Sequence, residues 1–565
     1  MPLVGRVCGR GSTCGNGKGN RSGVKNWFGQ VLGMGLALIS AAGVARAQLS
    51  PSQVLVVYDS RIPDSLAIAE YYAGSAKVPG GVGSLPGKRP GVRVVNLNAL
   101  GTVVTTPGNI DYPSFAARLR DPIRNYITTN NLVASVRCVV LTKGLPHRIF
   151  DIDNTNVGDN PSLAATETTS QGDYTAASVD SELTLLFQNL DTGEAGNNAD
   201  SKADGMVLNP YWKSNQSISH FNTNFAKVSK TLANTNTSGP IWSTATTTPL
   251  PNRLLAGDIV LVCRLDGPTV QVVKDSLDRA QNVIANVNTA AILFDKDPAQ
   301  LDNANAPFPS LYAGNDYDLS RNYFTTDGRF PINASPTIPA PGVNYNAIAG
   351  FDNFYVGPLL SWAAGTGPIV NQPVLFLAHY GSNHNGFSVT TGGTAASTIY
   401  ATSFNYAPGA IFNTIESYNG RDFGGLGIGG TPQQQASSFL ASGGTFAVGH
   451  VWEPFANTLA DNLYLSQNFV LGGLTWAEAS WSSIPTLSWM HVVLGDPLAR
   501  MDRSCEDLNA DGAVNLEDLI RWEQLPVGDA LRDLNRDASG TTADRNLLAR
   551  TLRQGERTSL VGGRP

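Results

Sequence analysis

The sequence predicts an α/β fold: a mostly parallel sheet with helices on both faces, broken by loop-rich insertions, and followed by a small all-α module at the carboxyl end. Three observations predict it. Short apolar runs rich in β-branched residues alternate with stretches of helical periodicity, as repeated β-α units require. Gly, Asn, Ser and Thr gather in two long tracts, about residues 150–250 and 298–350, that interrupt this rhythm. Two Asp/Asn-rich loops near the carboxyl end, 26 residues apart, each open a short amphipathic stretch.

The elements follow in chain order. Residues 1–47 read as a signal peptide, with a basic start (Arg6, Arg10, Lys18, Arg21, Lys25), an apolar run at 31–44 and the cleavage signal Ala45-Arg46-Ala47. That run is too short to span a bilayer comfortably, and no later segment reaches 18 consecutive apolar residues, so the mature chain is expected to lack a membrane span. QVLVVYD (53–59) is a buried strand, and PDSLAIAEYYAGS (63–75) is a helix that Pro63 opens. VRVVNLN (92–98) and VRCVVLTKG (136–144) are strands flanking a helix over 112–129 that breaks near Pro122. After the first insertion come a strand at 258–266, a helix at 270–287 and a strand at 290–297. After the second come strands at 373–383, 409–420 and 445–454, helices at 432–443, 457–473 and 475–484, and a closing segment HVVLGDPL (491–498).

Composition bounds the function. Of 565 residues 42% are hydrophobic, enough for a large core, which excludes wholesale disorder. A formal net charge of −6 leaves no basic excess to neutralise phosphates, so no nucleic-acid partner is expected. The mature chain keeps Cys138, Cys263 and Cys505, whose spacing makes neither a disulfide framework nor a metal site. The expected division is 1–47 for export, 48–500 for the α/β domain, 502–557 for the small module and 558–565 for a tail.

The module carries the sharpest pattern. Asp507, Asn509, Asp511, Asn515 and Asp518 fall at positions 1, 3, 5, 9 and 12 of one loop, and Ala513 at position 7 offers its carbonyl. Asp533, Asn535, Asp537, Thr541 and Asp544 repeat the pattern, with Ser539 at position 7. A hard cation that takes six to eight oxygens, Ca2+, is the ion this donor set suits. Gly512 makes the turn at position 6 of the first loop, whereas Ala538 stands there in the second.

Two loop-helix repeats with Asp at position 12 resemble a type I dockerin over about residues 505–553. The resemblance implies a cohesin-type protein partner, often within polysaccharide-degrading assemblies. Partner choice in that family is read partly at positions 10 and 11, here Leu516-Glu517 and Thr542-Ala543. The two pairs differ, so two-fold symmetric docking is not expected, and a calcium-stapled terminal domain remains the other reading.

The large domain has resemblances of its own. VLVVYDSRIPDSLAIAEYYA (54–73), GAIFNTIESYNGRDFG with GHVWEP (409–424, 449–454) and VVLGDPL (492–498) resemble an uncharacterised family of secreted bacterial proteins. More distantly, His379-Tyr380-Gly381-Ser382, Ser417-Tyr418-Asn419-Gly420 and Gly495-Asp496-Pro497 resemble gingipain-type peptidases, which implies a caspase-like fold. In that group one strand ends in His-Gly-Ser and the next in a catalytic Cys. Here Ser417 holds the nucleophile position, and His379 stands one residue before the histidine position. A thiolate–imidazole peptidase is therefore not expected, because a one-residue shift turns a strand side chain to the opposite face. The remaining catalytic candidates are Ser417 or Ser382 with His379 or His384 as base, and His450 with Glu453 three residues on. The alternatives left open are a calcium-binding protein whose module tethers or docks the large domain, a peptidase- or esterase-like hydrolase, and a polysaccharide-degrading component.

Overall fold

The computed structural model describes residues 48–103, 108–150, 176–191, 203, 205–222, 228–234, 242–243, 253–281, 283–296, 316–348, 355–359, 367–379, 390–391, 394–395, 401–416, 418–423, 436–455, 458–509, 511, 514–535 and 537–554. The expected export segment 1–47 lies outside them.

Ten strands form the central sheet. They are β1 (Val54–Tyr58), β2 (Arg93–Asn96), β3 (Cys138–Thr142), β4 (Leu261–Leu265), β5 (Ala291–Asp295), β6 (Gly342–Asn346), β7 (Val374–His379), β8 (Tyr406–Thr414), β9 (Phe446–His450) and β10 (His491–Leu494). Their spatial order is β6-β5-β7-β8-β9-β10-β4-β3-β1-β2. The first four strands run in the order 2-1-3-4, and β5–β8 repeat that order before β9 and β10 continue it. Pairing is parallel except between β9 and β10, which are antiparallel. The two halves meet at a single residue pair, Arg264 with Leu494.

β-Branched and aromatic residues form these strands because helices cover both faces, so successive side chains are buried alike. β1, β3, β4 and β5 bury every side chain. Alternate residues feed two cores: Ile292 and Phe294 enter one, Ala291 and Leu293 the other. Cys138 and Cys263 are buried and free within this packing.

The helices run between strands. α1 (Pro63–Ala73) starts at its proline as the sequence implies. α2 (Asp121–Thr129) follows a π-helical stretch, Ala116–Arg120. The irregularity precedes Pro122 rather than breaking the helix there. A proline ring clashes with the carbonyl four residues earlier, and one widened turn relieves the clash.

α3 (Val179–Leu183), buried throughout, lies inside the first loop-rich tract. α4 (Val270–Arg279) is shorter than expected, because residues 283–285 leave the helix to pair with Met501–Arg503. The expected second insertion is corrected most. It contributes α5 (Tyr317–Asp327) and the edge strand β6. α6 (Ala436–Ala441) and α7 (Trp476–Ser483) match their predicted places, while the predicted 457–473 helix shrinks to Asn462–Leu465 plus a π turn at Ser466–Val470. Among the described residues no helix is long and apolar enough to cross a membrane.

α8 (Leu516–Gln524) and α9 (Thr542–Gln554) form the carboxyl-terminal module. They close over a small core of Val514, Trp522, Leu534 and Leu548.

Candidate functional site

The segments that follow β3, β8 and β9 come together beyond the carboxyl ends of the parallel strands. Lys143 Nζ donates to the Phe423 carbonyl at 3.1 Å, and His147 Nε2 lies 2.8 Å from the Arg421 carbonyl. The Arg148 guanidinium stacks 4.8 Å from the Trp452 ring centroid.

Buried charge is concentrated here. Arg264 and Asp180 are both wholly buried and contact at 2.6 Å. Arg264 also donates to the Leu145 and Pro146 carbonyls at 3.0 and 2.8 Å. Burial raises the Asp180 carboxyl above its usual range, and Arg264 pulls it partly back. Lys143 donates to Asp266 at 3.4 Å and to the Gly267 carbonyl at 2.7 Å. Glu182 is raised to about 7 by burial, against which the Ser488 hydroxyl, 2.6 Å away, acts in the opposite direction.

The sequence candidates divide between the two faces. Asn346, Asp295, His379 and Thr414 lie side by side in register across β6, β5, β7 and β8. Residues in register share a face. Asp295 accepts from Asn346 Nδ2 at 2.9 Å and from the Tyr355 N–H at 2.7 Å. His450 shares the face of Val448 and Asn413, which is opposite to that of Thr414 and His379. The two histidines therefore do not converge on one centre.

His450 is wholly buried. Its Nδ1 lies 3.2 Å from the Glu416 carbonyl oxygen, and its ring sits edge-on to His491, 5.1 Å between centroids. Burial lowers its pKa to about 4. The expected pairing of His450 with Glu453 is corrected: no hydrogen bond or ion pair joins them, because the ring turns inward to Glu416 and His491. His491, which sequence reasoning missed, is its register partner across the antiparallel pair.

Ser417 lies outside the described residues, as do Tyr380, Ser382 and His384. The turn that follows is tightly set. Tyr418 has a left-handed backbone, φ 58°, and Asn419 Oδ1 accepts from the His450 N–H at 2.6 Å. A Cβ on Gly420 would come within 2.8 Å of the Val492 side chain and 3.1 Å of the His450 backbone nitrogen, so a larger residue there would force them to shift. Asp59, at the end of β1, is locked by Arg61 through contacts of 2.6 and 2.8 Å. Asp496 of the Gly-Asp-Pro segment ties in Tyr72 and Arg89 at 2.7 and 2.8 Å, a structural role.

Among the described residues, the two carboxyl-terminal loops share one hydrogen-bond pattern at positions 1, 3, 5, 9 and 12. In the first, the Asp511 N–H donates to Asp507 Oδ1 and Asn509 Oδ1 at 3.1 and 3.0 Å. In the second, the Asp537 N–H donates to Asp533 Oδ1 and Asn535 Oδ1, both at 3.0 Å. Asn509 Nδ2 donates to Asp511 at 3.1 Å, and Asn535 Nδ2 to Asp537 at 2.9 Å.

Asp518 and Asp544 at position 12 are both buried. Asp518 accepts from the Leu508, Asn509 and Asn515 N–H groups at 2.7, 3.3 and 2.6 Å. Asp544 accepts from those of Leu534, Asn535 and Thr541 at 2.9, 3.0 and 2.7 Å. Both helices start at position 10, capped by Asn515 and Thr541 at position 9.

Ala538 takes φ 68°, the left-handed conformation that position 6 demands and that glycine would adopt without strain. Ala513 and Gly512 lie outside the described residues. Ser539 donates both its N–H and its hydroxyl to Asp537, which holds that carboxyl below its usual range.

The donor chemistry fits a hard cation. In each loop the oxygens of positions 1 and 3 already approach one shared N–H, and carboxylate lone pairs remain for an ion. Among the described residues no three His, Cys, Asp or Glu side chains are grouped closely enough to hold an ion by themselves. A bound ion would therefore also draw on Asn, Thr and main-chain oxygens.

Comparison with protein-family models, with curated proteins and with solved structures finds no match.

Proposed function

We propose that this is an exported calcium-binding protein whose dockerin-like module tethers or docks the large α/β domain. The single observation that carries the reading is the repetition of one hydrogen-bond pattern among the described residues of two loops 26 residues apart. Asp507, Asn509, Asp511, Asn515 and Asp518 would hold one Ca2+, with Asp533, Asn535, Asp537, Thr541 and Asp544 holding the other. The carbonyls of Ala513 and Ser539 would complete the sets. Bound Ca2+ neutralises the loop carboxylates and fixes each loop against its helix. A cohesin-type protein is the partner this reading names.

Hydrogen exchange tests it locally. Added Ca2+ is expected to slow exchange across 507–518 and 533–544 in the wild-type chain, and to leave the Asp511→Ala/Asp537→Ala double variant unchanged. Equal protection in the double variant would refute the assignment.

A second reading, a gingipain- or caspase-like hydrolase, is favoured by one observation. His379 ends β7, and the strand that leads to Ser417 is its immediate neighbour, β8. That adjacency matches the order in which the group places its histidine and nucleophile. A fluorophosphonate probe is expected to label the wild type and spare Ser417→Ala. Labelling of neither, or of both, would sink the hydrolase reading.

A further inference from the structure

A free docking arm would touch its body little; this module is joined to it by buried charge. Arg329, just after α5, is 1% exposed. Its guanidinium grips Asp327 through two contacts of 2.6 Å, reaches Glu506 at 2.8 Å and donates to the Leu471 carbonyl at 2.9 Å. Arg503, wholly buried, takes both Glu506 oxygens at 2.8 Å, the Val470 carbonyl at 2.6 Å and Thr551 Oγ1 at 2.9 Å. Thr551 belongs to α9 and donates to Glu506 at 3.1 Å.

Glu506 directly precedes Asp507, position 1 of the first loop. Burial pushes its carboxyl up, and the two guanidinium groups more than offset this. The second loop touches the body as closely. Gly328 has φ 79° and caps α5, and a Cβ there would fall 2.0 Å from the carbonyl oxygen of Asn535, position 3 of that loop. Both proposed ion sites thus abut the end of α5, the helix that precedes edge strand β6.

We propose that the module is a calcium-operated clamp on the α/β domain: ion binding in the twin loops is transmitted through Gly328–Asn535 and the Arg329–Glu506–Arg503–Thr551 network into the stability of the body. The proposal rests on the calcium reading above and adds its consequence. Groups that bind the folded state alone raise its stability by mass action, and they raise the stability of only what unfolds together with them. An independent module would keep that gain to itself. A clamp shares it.

The test uses the full chain and two readouts. Calorimetry at 25 °C reports whether Ca2+ binds. Intrinsic tryptophan fluorescence, followed in a Trp522→Phe background so that the module's own buried indole is silent, reports melting of the body, where Trp452, Trp476, Trp481 and Trp489 are buried. At a hundredfold excess over Kd, the wild-type body is expected to melt roughly 3 °C higher for each occupied site. Arg329→Lys, which cannot bridge three partners at once, is expected to bind Ca2+ yet lose most of that rise. Thr551→Val, a milder change, is expected to lose part of it. Bound Ca2+ with no shift in wild-type melting, or a full shift retained in Arg329→Lys, would overturn the clamp. Absence of calorimetric binding would instead overturn the calcium reading beneath it.

Discussion

Asp180→Ala is expected to destabilise the fold by about 3–5 kcal/mol, as measured by urea unfolding at neutral pH. The alanine leaves Arg264 wholly buried with its nearest carboxylate, Asp266, at 3.5 Å. Taking one partner from a buried pair is costly because the other charge stays desolvated. Position adds to the effect. Arg264 holds the Leu145 and Pro146 carbonyls, and it stands at the one residue pair that joins the two halves of the sheet. Asp180→Asn should cost less, since it keeps hydrogen-bond acceptance. A loss below about 1 kcal/mol for Asp180→Ala, the scale of an exposed ion pair, would show that the pair does not hold the halves together.

Acid should weaken the fold through its buried histidines. His147, His450 and His491 are all lowered, first by burial. A neutral buried histidine contributes nothing to the pH dependence above about pH 6.5. Below it, the unfolded chain takes up a proton that the folded chain refuses, so stability falls as pH falls. For His450 the window runs from 6.5 to about 4, worth about 3 kcal/mol in full. Glu182 acts in the opposite direction, because its raised value, about 7, lets the folded state bind a proton first. The clean readout is therefore a difference. Urea midpoints measured from pH 7 to 4 should fall less steeply in His450→Phe than in the wild type. Parallel slopes would contradict the burial account.

Much of the fold was legible in the sequence. Runs such as Val54–Tyr58 and Ala291–Asp295 are apolar and β-branched enough to announce buried parallel strands. β6 was not, because GVNYN at a sheet edge carries asparagines instead of valines. α5 escaped for a similar reason, since YDLSRNYFTTD offers a weak apolar stripe among polar residues. α4 was overextended because Val283–Ala285 looks as helical as it looks strand-like, and only its pairing with Met501–Arg503 decides. At the site, the strand-end histidines were visible but their faces were not. Face depends on register, and register emerges only when strands pair. Arg264 in the apolar run LVCRL was the one sequence signal of the buried network, and its partner Asp180 lay in a tract too polar to suggest burial. The twin carboxyl-terminal loops were the most legible part, since their Asp/Asn pattern is local in sequence.

Isothermal calorimetry of Ca2+ into the full chain tests the central claim most directly. The twin-loop account predicts two bound ions per chain, one after Asp533→Ala, and none after Asp507→Ala with Asp533→Ala. No heat of binding to the wild type, or two ions retained in the double variant, would contradict it.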